Sequence, residues 1–404
     1  MSATHSGPLD ELTVVELAHI MAGPVCGRML ADMGADVIKV ERAPGGDTAR
    51  GFIPPDIDGE PAAFMMLNRN KRGIAVDLKA PAGKEILLRL LKTADVVIEN
   101  YRKGTMERLG LGYDELRKNN AGLIYCEISG FGRTGPYAEL GGFDLVAQGM
   151  SGLMSITGEG PDRPPVKCGP PITDITAGLL ATMGVLAAYI QRTKTGKGQR
   201  VDTSLFEAGI TQTFWQSAIA LATGTSPSPM GSAHPLNAPY EAFQTADGWL
   251  TLGASSQVVW QRLPQVLGRP ELLDDRRFLL NEDRMAHRVE LAEELAHAFR
   301  QRSTGEWLER LEAAGVPAGP VLSVGDMLAD PQTKAREMVV ETEHQRLGPV
   351  QTIGFPVKFS ETPAGIERGA PTLGQHTTEV LLELGYSDSD IGRLVADNVV
   401  IRPG

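Results

Sequence analysis

The sequence predicts an α/β protein with a large Rossmann-like domain, built on a parallel sheet, and a smaller α+β domain. Short runs of β-branched residues alternate with helical patterns through the first 130 residues, as in successive βαβ units. From about residue 240 to 316 the chain becomes charged and helical, which predicts the smaller domain. With 404 residues, 42% hydrophobic and 22% charged, the composition is that of a globular protein of two or three domains.

The first strand and helix are marked by local signals. LTVVELA at 12–18 is predicted as a strand, and Pro24 and Gly34 mark the two ends of the helix that follows it. The alternation then continues with predicted strands at 35–41, 73–79, 95–100 and 123–129 and a helix at 81–94. Because ligands of such folds lie at the carboxyl ends of the strands, functional residues are expected there.

Beyond residue 129 the pattern is less regular. SGFGRTGPYAELGGFD at 129–144 is rich in Gly and Pro, and we predict that it is a functional loop. A long helix is predicted from Asp174 to Gln191. The remaining predicted segments are a strand at 199–205, a linker at 224–239, short strands near 350–359 and a helix at 373–385.

Charge and cysteine content exclude several classes of protein. A net charge of −11 argues against a general binder of nucleic acid or anionic membranes. The three cysteines form no CxxC pair, which argues against a disulfide framework or a thiolate zinc site. The N-terminus has no signal-peptide pattern, and the apolar stretch at 175–190 is shorter than the ~20 residues of a membrane span. We therefore expect a cytoplasmic protein without nucleic-acid or membrane partners.

Asp174 stands where a helix begins. It follows Pro170 and Pro171 and precedes a strongly apolar segment, so it belongs at the N-cap or in the first turn. Capping alone would account for an aspartate at this position. The alternative is a carboxylate that the helix dipole keeps ionised, that faces a cavity and that acts as a nucleophile. The pattern leaves both interpretations open.

Basic residues cluster beside the predicted strand ends. In an acidic protein this cluster suits a ligand with phosphate groups, although a solvated face balanced by carboxylates would give the same pattern. The sequence contains neither GxGxxG after the first strand nor GxxxxGK[ST], which weakens NAD-dependent and ATP-dependent interpretations. The cluster consists of Arg42, Arg69, Lys71, Arg72, Lys79, Arg102, Lys103 and Arg108.

The histidines are scattered singly. They form no HExxH or similar short-range pair, so no metal site is predicted. His19, just past the first strand, lies in a predicted cleft, where it either makes a local hydrogen bond or belongs to the site. The absence of a GxSxG sequence disfavours an α/β-hydrolase.

Eight segments spread over the chain carry a combined signal that none of them carries alone. They are HIMAGPVCGRMLADMGADVIKVERAPGGDTAR (19–50), LNRNKRGIAVDLK (67–79), VIENYRKGTMERLGLGYDEL (97–116), GFGRTGPYAELGGFDLVAQGMSGLM (130–154), PPITDITAG (170–178), KTGKGQRVDTSL (194–205), GVPAGPV (315–321) and LGQHT (373–377). Together they resemble the class III coenzyme A transferases, which include formyl-CoA transferase, carnitine CoA-transferase and succinate–hydroxymethylglutarate CoA-transferase.

The resemblance implies roles for particular residues. Asp174 matches the catalytic aspartate of the family, which favours the nucleophile over the cap. CoA and acyl-CoA are implied as substrates, without a permanently bound cofactor, and the basic cluster would meet the ADP part of CoA. The positions that match the CoA-binding residues of the family are Met21, Ala22, Arg42, the segment from Val76 to Lys79, Asn100, Tyr101, Arg102 and Arg108.

The resemblance also implies an architecture. Residues 1–223 would form the N-terminal part of the large CoA-binding domain, 224–320 the small domain with its linker, and 321–404 a C-terminal segment that completes the large domain. Two chains are expected to thread through each other as an interlocked homodimer.

The implied reaction moves CoA from an acyl-CoA, such as succinyl-CoA, to a small carboxylic or dicarboxylic acid. The aspartate attacks the thioester, CoA thiolate reopens the mixed anhydride, and the acceptor acid attacks the resulting aspartyl-CoA thioester. Backbone N–H groups near Asp174 or in the glycine-rich loop are the expected oxyanion donors.

The sequence differs at two places from particular members of the superfamily, and these differences narrow the expected reaction. Gly142-Phe143-Asp144 stands where α-methylacyl-CoA racemases carry a GHD-type stretch, and without that histidine two-base proton transfer is disfavoured. Such a racemase or isomerase nevertheless remains the alternative, beside a non-catalytic CoA-binding protein and a nicotinamide dehydrogenase. Met21 replaces a glutamine of the formyl-CoA transferases, and their run of glycines is missing near 225–240, whereas GSAHPLNAPYEAF (231–243) looks more like the dicarboxylate-using members.

The pocket for the acceptor acid is expected to involve residues in loops beside the predicted site. His19, Met21, Arg50 and His234 are the candidates. Our hypothesis is that Arg50 binds the remote carboxylate of the acid, because a planar guanidinium can donate two parallel hydrogen bonds to a carboxylate.

Overall fold

The computed structural model describes residues 7–403. Residues 1–6, on which part of the signal-peptide expectation rests, lie outside the described residues, as does Gly404. The chain divides into two compact units. The first unit comprises Met1–Ser151, Gly169–Gln212 and Pro331–Gly404, and the second comprises Gly152–Cys168 and Thr213–Asp330.

The strands of the described residues are short. In chain order they are β1 (Thr13–Glu16), β2 (Asp36–Arg42), β3 (Asp56–Ile57), β4 (Glu60–Pro61), β5 (Arg72–Val76), β6 (Val96–Glu99), β7 (Ile124–Ser129), β8 (Arg200–Ser204), β9 (Tyr240–Gln244), β10 (Trp249–Gly253), β11 (Ala318–Pro320), β12 (Val339–His344), β13 (Gly348–Ile353) and β14 (Val400–Ile401).

The helices range from single turns to 24 residues. In chain order they are α1 (Ala22–Asp32), α2 (Ala62–Asn68), α3 (Pro81–Thr93), α4 (Thr105–Arg108), α5 (Tyr113–Asn119), α6 (Asp144–Met150), α7 (Leu153–Ile156), α8 (Ile172–Thr195), α9 (Leu205–Gln212), α10 (Phe214–Thr223), α11 (Gln257–Trp260), α12 (Leu263–Leu267), α13 (Asn281–Ala286), α14 (Arg288–Phe299), α15 (Thr304–Ala313), α16 (Val324–Ala329), α17 (Pro331–Ala335), α18 (Thr377–Glu383) and α19 (Asp388–Ala396). Two 3₁₀ turns lie at Thr48–Gly51 and Pro270–Leu273.

The first unit is built on a seven-stranded sheet with the order β14-β5-β2-β1-β6-β7-β8. All neighbouring strands run parallel except β14, which pairs antiparallel with β5. β1 lies in the middle, where Val15 pairs with Ile38 of β2 and with Val97 of β6. The parallel sheet predicted from the βαβ pattern is confirmed, whereas the two-residue edge strand β14 was not predicted.

Helices cover both faces of this sheet. Val14 belongs to a core with α1 and α8, while its neighbour Val15 belongs to a core with α3 and α18, because successive strand residues point to opposite faces. Both faces are therefore buried, and the central strands are rich in apolar residues, although charged residues such as Glu16 and Glu99 end β1 and β6. The mixed α/β class expected from the sequence is confirmed at this level.

Helix α8 is longer than the sequence predicts. It extends over 24 residues and, by length and composition alone, is apolar enough to cross a membrane. It packs against α1 and α9 and against strands β7 and β8, as a core helix of a globular unit does. The small residues Gly178 and Gly184 allow this packing, since a Cβ at Gly178 would lie 2.6 Å from the carbonyl oxygen of Ala22.

The second unit has its own sheet and core. β9, β10 and β11 form a three-stranded antiparallel sheet in which Leu250 pairs with Phe243. Trp260, Phe278 and Trp307 are almost fully buried in the core beneath it. The charged, helical composition near 240–316 thus corresponds to helices that cover this core.

A buried ion pair helps to attach the C-terminal segment to the rest of the first unit. The carboxylate of Asp32, at the end of α1, accepts hydrogen bonds from Arg69 Nη2 at 2.7 Å and from Asn70 Nδ2 at 2.9 Å. Arg69 also donates to Thr352 Oγ1 at 3.1 Å and to the carbonyl of Ile353. Asp32 and Arg69 are each about 1% exposed, so removal of either partner would leave a buried charge without compensation.

We predict that Asp32→Ala lowers the free energy of unfolding by about 3–5 kcal/mol, because Arg69 then stays buried without a carboxylate. Urea denaturation followed by circular dichroism measures this change. The matched control is Glu85→Ala, which removes an exposed pair with Arg89 (2.6 Å) and is expected to leave the free energy of unfolding almost unchanged. Equal losses in the two variants would contradict the structural importance of the buried pair.

Candidate active site

Residues 19–22, between β1 and α1, are held from two sides. The amide of Asn100 accepts from the N–H of His19 at 2.9 Å and donates to the carbonyl of His19 at 2.8 Å. Ile20 adopts φ +66°, a strained conformation for a β-branched residue, and its N–H donates to Asp47 Oδ1 at 3.0 Å. Helix α1 begins directly afterwards, at Ala22.

Four fully buried charges lie beneath this segment. Lys39 Nζ lies 2.9 Å from Glu16 and 2.9 Å from Asp47, and Lys71 Nζ lies 2.7 Å from the other oxygen of Glu16. Burial lowers the pKa of Lys71 to about 8, despite Glu16. Burial also opposes the ionisation of Asp47, but Lys39 and backbone N–H groups bring its pKa down to about 2. Asp47 is therefore an ionised acceptor for the N–H of Ile20.

Asp174 lies in the first turn of α8, as the sequence predicts. Its carboxylate accepts a hydrogen bond from the N–H of Ala22, so it faces the N-terminus of α1 as well as belonging to that of α8. Burial, and to a smaller extent the charge of Asp144, raises the pKa of Asp174 to about 7, against the effect of the Ala22 N–H. It lines a cavity of about 280 Å³, here called the Asp174 cavity, together with His19, Met21, Tyr101 and Arg102.

Asp144 locks the start of α8. Its Oδ1 accepts from the N–H of Thr173 at 3.0 Å and from the hydroxyl of Thr173 at 2.8 Å. Its Oδ2 accepts from Gln148 at 2.8 Å. Asp144 therefore fixes the residue directly before Asp174 and also contributes to the raised pKa of Asp174. The sequence patterns gave Asp144 no role of its own, although it is the last residue of the predicted loop at 129–144.

The glycine-rich loop forms part of the cavity wall by direct contact between backbones. A Cβ at Gly130 would lie 2.6 Å from the Cα of Gly142, and a Cβ at Gly142 would lie 2.4 Å from the Cα of Gly130. Both residues line the Asp174 cavity. Only glycine allows the two backbone segments to approach so closely. This contact explains why the loop predicted at 129–144 contains glycine at both positions.

A second, larger cavity of about 730 Å³ lies at the carboxyl ends of β2 and β5. We call it the basic cavity, because Arg42, Lys79 and Arg108 line it. Val76 belongs to the same wall. His19 and Tyr101, whose rings meet edge to face with centroids 5.0 Å apart, line both cavities. Burial lowers the pKa of His19 and raises that of Tyr101 to about 12.

Arg133, which the sequence patterns did not single out, connects the loop to the strand ends. Its Nη2 lies 2.5 Å from Glu99, its Nε lies 3.2 Å from Glu127, and its Nη1 donates to the carbonyl of Tyr101 at 2.9 Å. Burial raises the pKa of Glu99 to about 7 despite this arginine. Arg133 is thus engaged in holding Tyr101 and the loop in place.

The structure separates several residues that the sequence grouped together. Three residues of the predicted basic cluster are buried and paired with carboxylates, namely Arg69, Lys71 and Arg72. Their charges balance those carboxylates and are not available to a phosphate. Asn100 uses the donor and the acceptor of its side chain on the backbone of His19.

Of the candidates for the acceptor pocket, Arg50 and His234 are not among the residues that line the Asp174 cavity. Arg50 forms a bidentate pair with Glu41, with both distances 2.7 Å, and lies over the ring of Phe64, and it does not line the Asp174 cavity. His234 belongs to the second unit, where its ring lies 5.2 Å from that of Tyr240 and its Nδ1 accepts from the N–H of Leu236. His19 and Met21 do line the cavity.

Within residues 7–403, no group of three or more His, Cys, Asp or Glu side chains is arranged to hold a metal ion. The chemistry available at the Asp174 cavity is that of one desolvated carboxylate beside two helix N-termini. Such a carboxylate can attack an activated carbonyl group, and N–H groups beside it can stabilise the oxyanion that follows.

Known proteins are similar over almost the whole chain. The succinate–glutarate CoA-transferase of Agrobacterium fabrum is 42% identical over 383 residues, which cover 93% of this chain and 96% of that protein. The human succinyl-CoA:glutarate CoA-transferase is 38% identical over 394 residues, or 97% and 90% of the two chains. A crystal structure of a CAIB/BAIF family protein from Brucella suis has a TM-score of 0.84 at 42% identity and covers 94% of this chain and 100% of its own.

The family assignment rests on a match over nearly the whole chain. Residues 9–377 match the model of CoA-transferase family III, from the first turn of the described chain to the start of α18. The resemblance found in the sequence motifs is thereby confirmed. The chain belongs to CoA-transferase family III and is an enzyme of that class.

Proposed function

We propose that this enzyme transfers CoA from succinyl-CoA to a small dicarboxylic acid, with Asp174 as the nucleophile. The observation that carries the proposal is a desolvated carboxylate that faces a cavity and accepts the N–H of Ala22. The names of the similar proteins support the substrate class, since they pair succinyl-CoA with glutarate, D-citramalate or mesaconate.

The reaction consists of four balanced acyl transfers. The Asp174 carboxylate attacks the thioester carbonyl of succinyl-CoA, the C–S bond breaks and CoA thiolate leaves. The thiolate then attacks the aspartyl carbonyl of the anhydride, and succinate leaves. The acceptor carboxylate attacks the aspartyl-CoA thioester and again expels the thiolate. The thiolate finally attacks the acceptor carbonyl, which releases the new acyl-CoA and regenerates the carboxylate, with no net change in protons.

The N–H of Ala22 is the proposed oxyanion donor for attack on the aspartyl carbonyl. It already donates to the carboxylate of Asp174, so it requires no reorganisation when negative charge develops there. The Lys39–Asp47 pair and the amide of Asn100 keep residues 19–22 in the conformation that aims this N–H. Asp47 and Asn100 therefore act as positioning residues.

The nucleotide end of CoA is assigned to the basic cavity. Arg42, Lys79 and Arg108 supply three cations there for the phosphates of the ADP part. Met21, Ala22, Val76, Asn100 and Tyr101 complete the proposed CoA-binding residues, with CoA as a substrate and no permanently bound cofactor.

We also propose that the enzyme is an interlocked homodimer in the cytoplasm, with a Rossmann-like large domain of residues 1–223, completed by 321–404, and a small domain at 224–320. Support for the dimer comes from α8, where Leu179, Met183 and Ile190 lie on one helix face and are 39%, 65% and 57% exposed. A second copy of this chain would cover this apolar face. We expect sedimentation equilibrium to give twice the 43.3 kDa of one chain, and a monomer mass would contradict the dimer.

We predict that Asp174→Asn abolishes transfer while the fold is retained, because a carboxamide is not a nucleophile. In the wild-type enzyme incubated with succinyl-CoA, hydroxylamine should trap an activated carboxyl group at Asp174, and peptide mass spectrometry would locate it. The Asn variant should give no trapped peptide.

The same samples test the racemase alternative. A racemase would exchange the α-proton of a 2-methylacyl-CoA in deuterated water without an acceptor acid, and Phe143 in place of a histidine gives no base for this step. Exchange without trapping at Asp174 would overturn the transferase proposal.

The raised pKa of Asp174 predicts a pH dependence. Below pH 7 the carboxyl group is mostly protonated and cannot attack, so kcat/KM should rise about tenfold per pH unit on the acid side and level off above pH 7. Asp144→Asn removes a negative charge that raises this pKa, so the midpoint should shift to lower pH. An unchanged midpoint would show that another group controls the profile.

A further inference from the structure

The four cations that the resemblance to the family assigns to CoA binding do not lie together. Arg42, Lys79 and Arg108 line the basic cavity, whereas Arg102 lines the Asp174 cavity and not the basic cavity. Arg102 is exposed, and its guanidinium lies beside the glycine-rich loop, where its Nη2 would be 3.4 Å from a Cβ added at Gly141. The resemblance to the family grouped Arg102 with the phosphate ligands, but its position in the structure groups it with Asp174.

Among the cationic side chains of the Asp174 cavity, Arg102 is distinguished by its lack of a partner. Lys103 lies 3.1 Å from Glu139, and Arg133 is paired with Glu99 and Glu127. Burial lowers the pKa of His19, so its ring is neutral at pH 7. For Arg102, the described part of the chain supplies no carboxylate within 4.0 Å.

A dicarboxylic substrate brings a second negative charge to this cavity. In succinyl-CoA and in the free acceptor acid, one carboxyl group reacts while the remote carboxylate stays ionised. Burial in the Asp174 cavity is strong enough to raise the pKa of Asp174 to about 7, so a further anion there needs a cation. An unpaired guanidinium, whose planar fork binds both oxygens of a carboxylate, meets this need.

We propose that Arg102 binds the remote carboxylate of the dicarboxylic substrate, both as the free acid and as its CoA thioester. This inference rests on the proposed CoA transfer and names the residue that makes the enzyme select diacids. It replaces the hypothesis for Arg50, whose guanidinium is already occupied by Glu41 and by the carbonyl of Pro371. Arg102 is thus a specificity-determining residue on the acyl side of the substrate.

The test compares binding of two thioesters that differ in this one charge. Dissociation constants for succinyl-CoA and butyryl-CoA are measured by titration calorimetry in the full chain carrying Asp174→Asn, which prevents their consumption. When Arg102→Met is added to this background, the dissociation constant of succinyl-CoA should rise about 10- to 100-fold, because a charge-assisted hydrogen bond is lost. Binding of butyryl-CoA should change less than about threefold, since its acyl group has no charge to pair.

Arg108→Met in the same background is the matched control. Its guanidinium lines the basic cavity, so both thioesters should weaken by the same factor. Arg102→Lys keeps the positive charge but loses the planar guanidinium, so it should retain an intermediate preference for succinyl-CoA. This variant also tests the proposal if Arg102→Met does not fold. Equal weakening of both thioesters by Arg102→Met, or no preference of the parent for succinyl-CoA, would overturn the proposal.

The proposed function is tested separately in the same study. Wild-type enzyme is assayed for CoA transfer from succinyl-CoA to glutarate, with pentanoate as the monoacid of equal chain length. Transfer to glutarate that falls selectively in Arg102→Met supports both proposals. A wild-type enzyme that binds succinyl-CoA selectively through Arg102 but transfers nothing would refute the transferase proposal and leave the carboxylate site standing.

Discussion

The geometry of the site depends on the buried charges of Glu16, Lys39, Asp47 and Lys71. Two carboxylates and two ammonium groups, all excluded from water, neutralise one another beneath residues 19–22. Such a group is costly to desolvate, and removal of one member would leave the others buried without a counter-charge. Its benefit is specificity of conformation, because Asp47 stays ionised and its oxygens accept the N–H of Ile20 in a conformation that this residue would otherwise avoid. The Ala22 N–H is aimed at Asp174 as a result.

In the proposed function, two adjoining cavities with a common wall divide the recognition of a long substrate. Tyr101 and His19 belong to both, and both are held by polar contacts behind them, through Arg133 and Asn100 respectively. The cations in the larger cavity suit a polyphosphate, whereas the smaller cavity combines a desolvated carboxylate with one unpaired guanidinium. Binding energy from the nucleotide end can therefore help to place the acyl group beside Asp174.

Sequence patterns predicted those parts of the fold that local chemistry determines. The strands around β1 and the start of α8 at Asp174 follow from alternating β-branched runs and a proline-marked helix start, so they were recognised. The roles of neighbouring charges could not be recognised in this way. Lys71 and Lys79 look alike in sequence, but Lys71 meets Glu16 inside the protein while Lys79 lines a cavity. The partner of Lys71 comes from a distant segment, and Glu41, the partner of Arg50, lies nine residues before it in the chain, outside any helical or strand spacing that would predict the pair.

The position of β14 has a consequence for biosynthesis. Residues 400–401 form the edge of a sheet whose next strand, β5, ends at Val76, and residues 352–383 supply partners for Arg69 and Arg72. At a ribosomal speed of 5–20 residues per second, roughly 15–70 s pass between the emergence of these arginines and the end of the chain. During that interval the nascent sheet has an open edge and two cations without their late partners. The seven-stranded sheet is therefore completed only after residues 400–401 have left the ribosome.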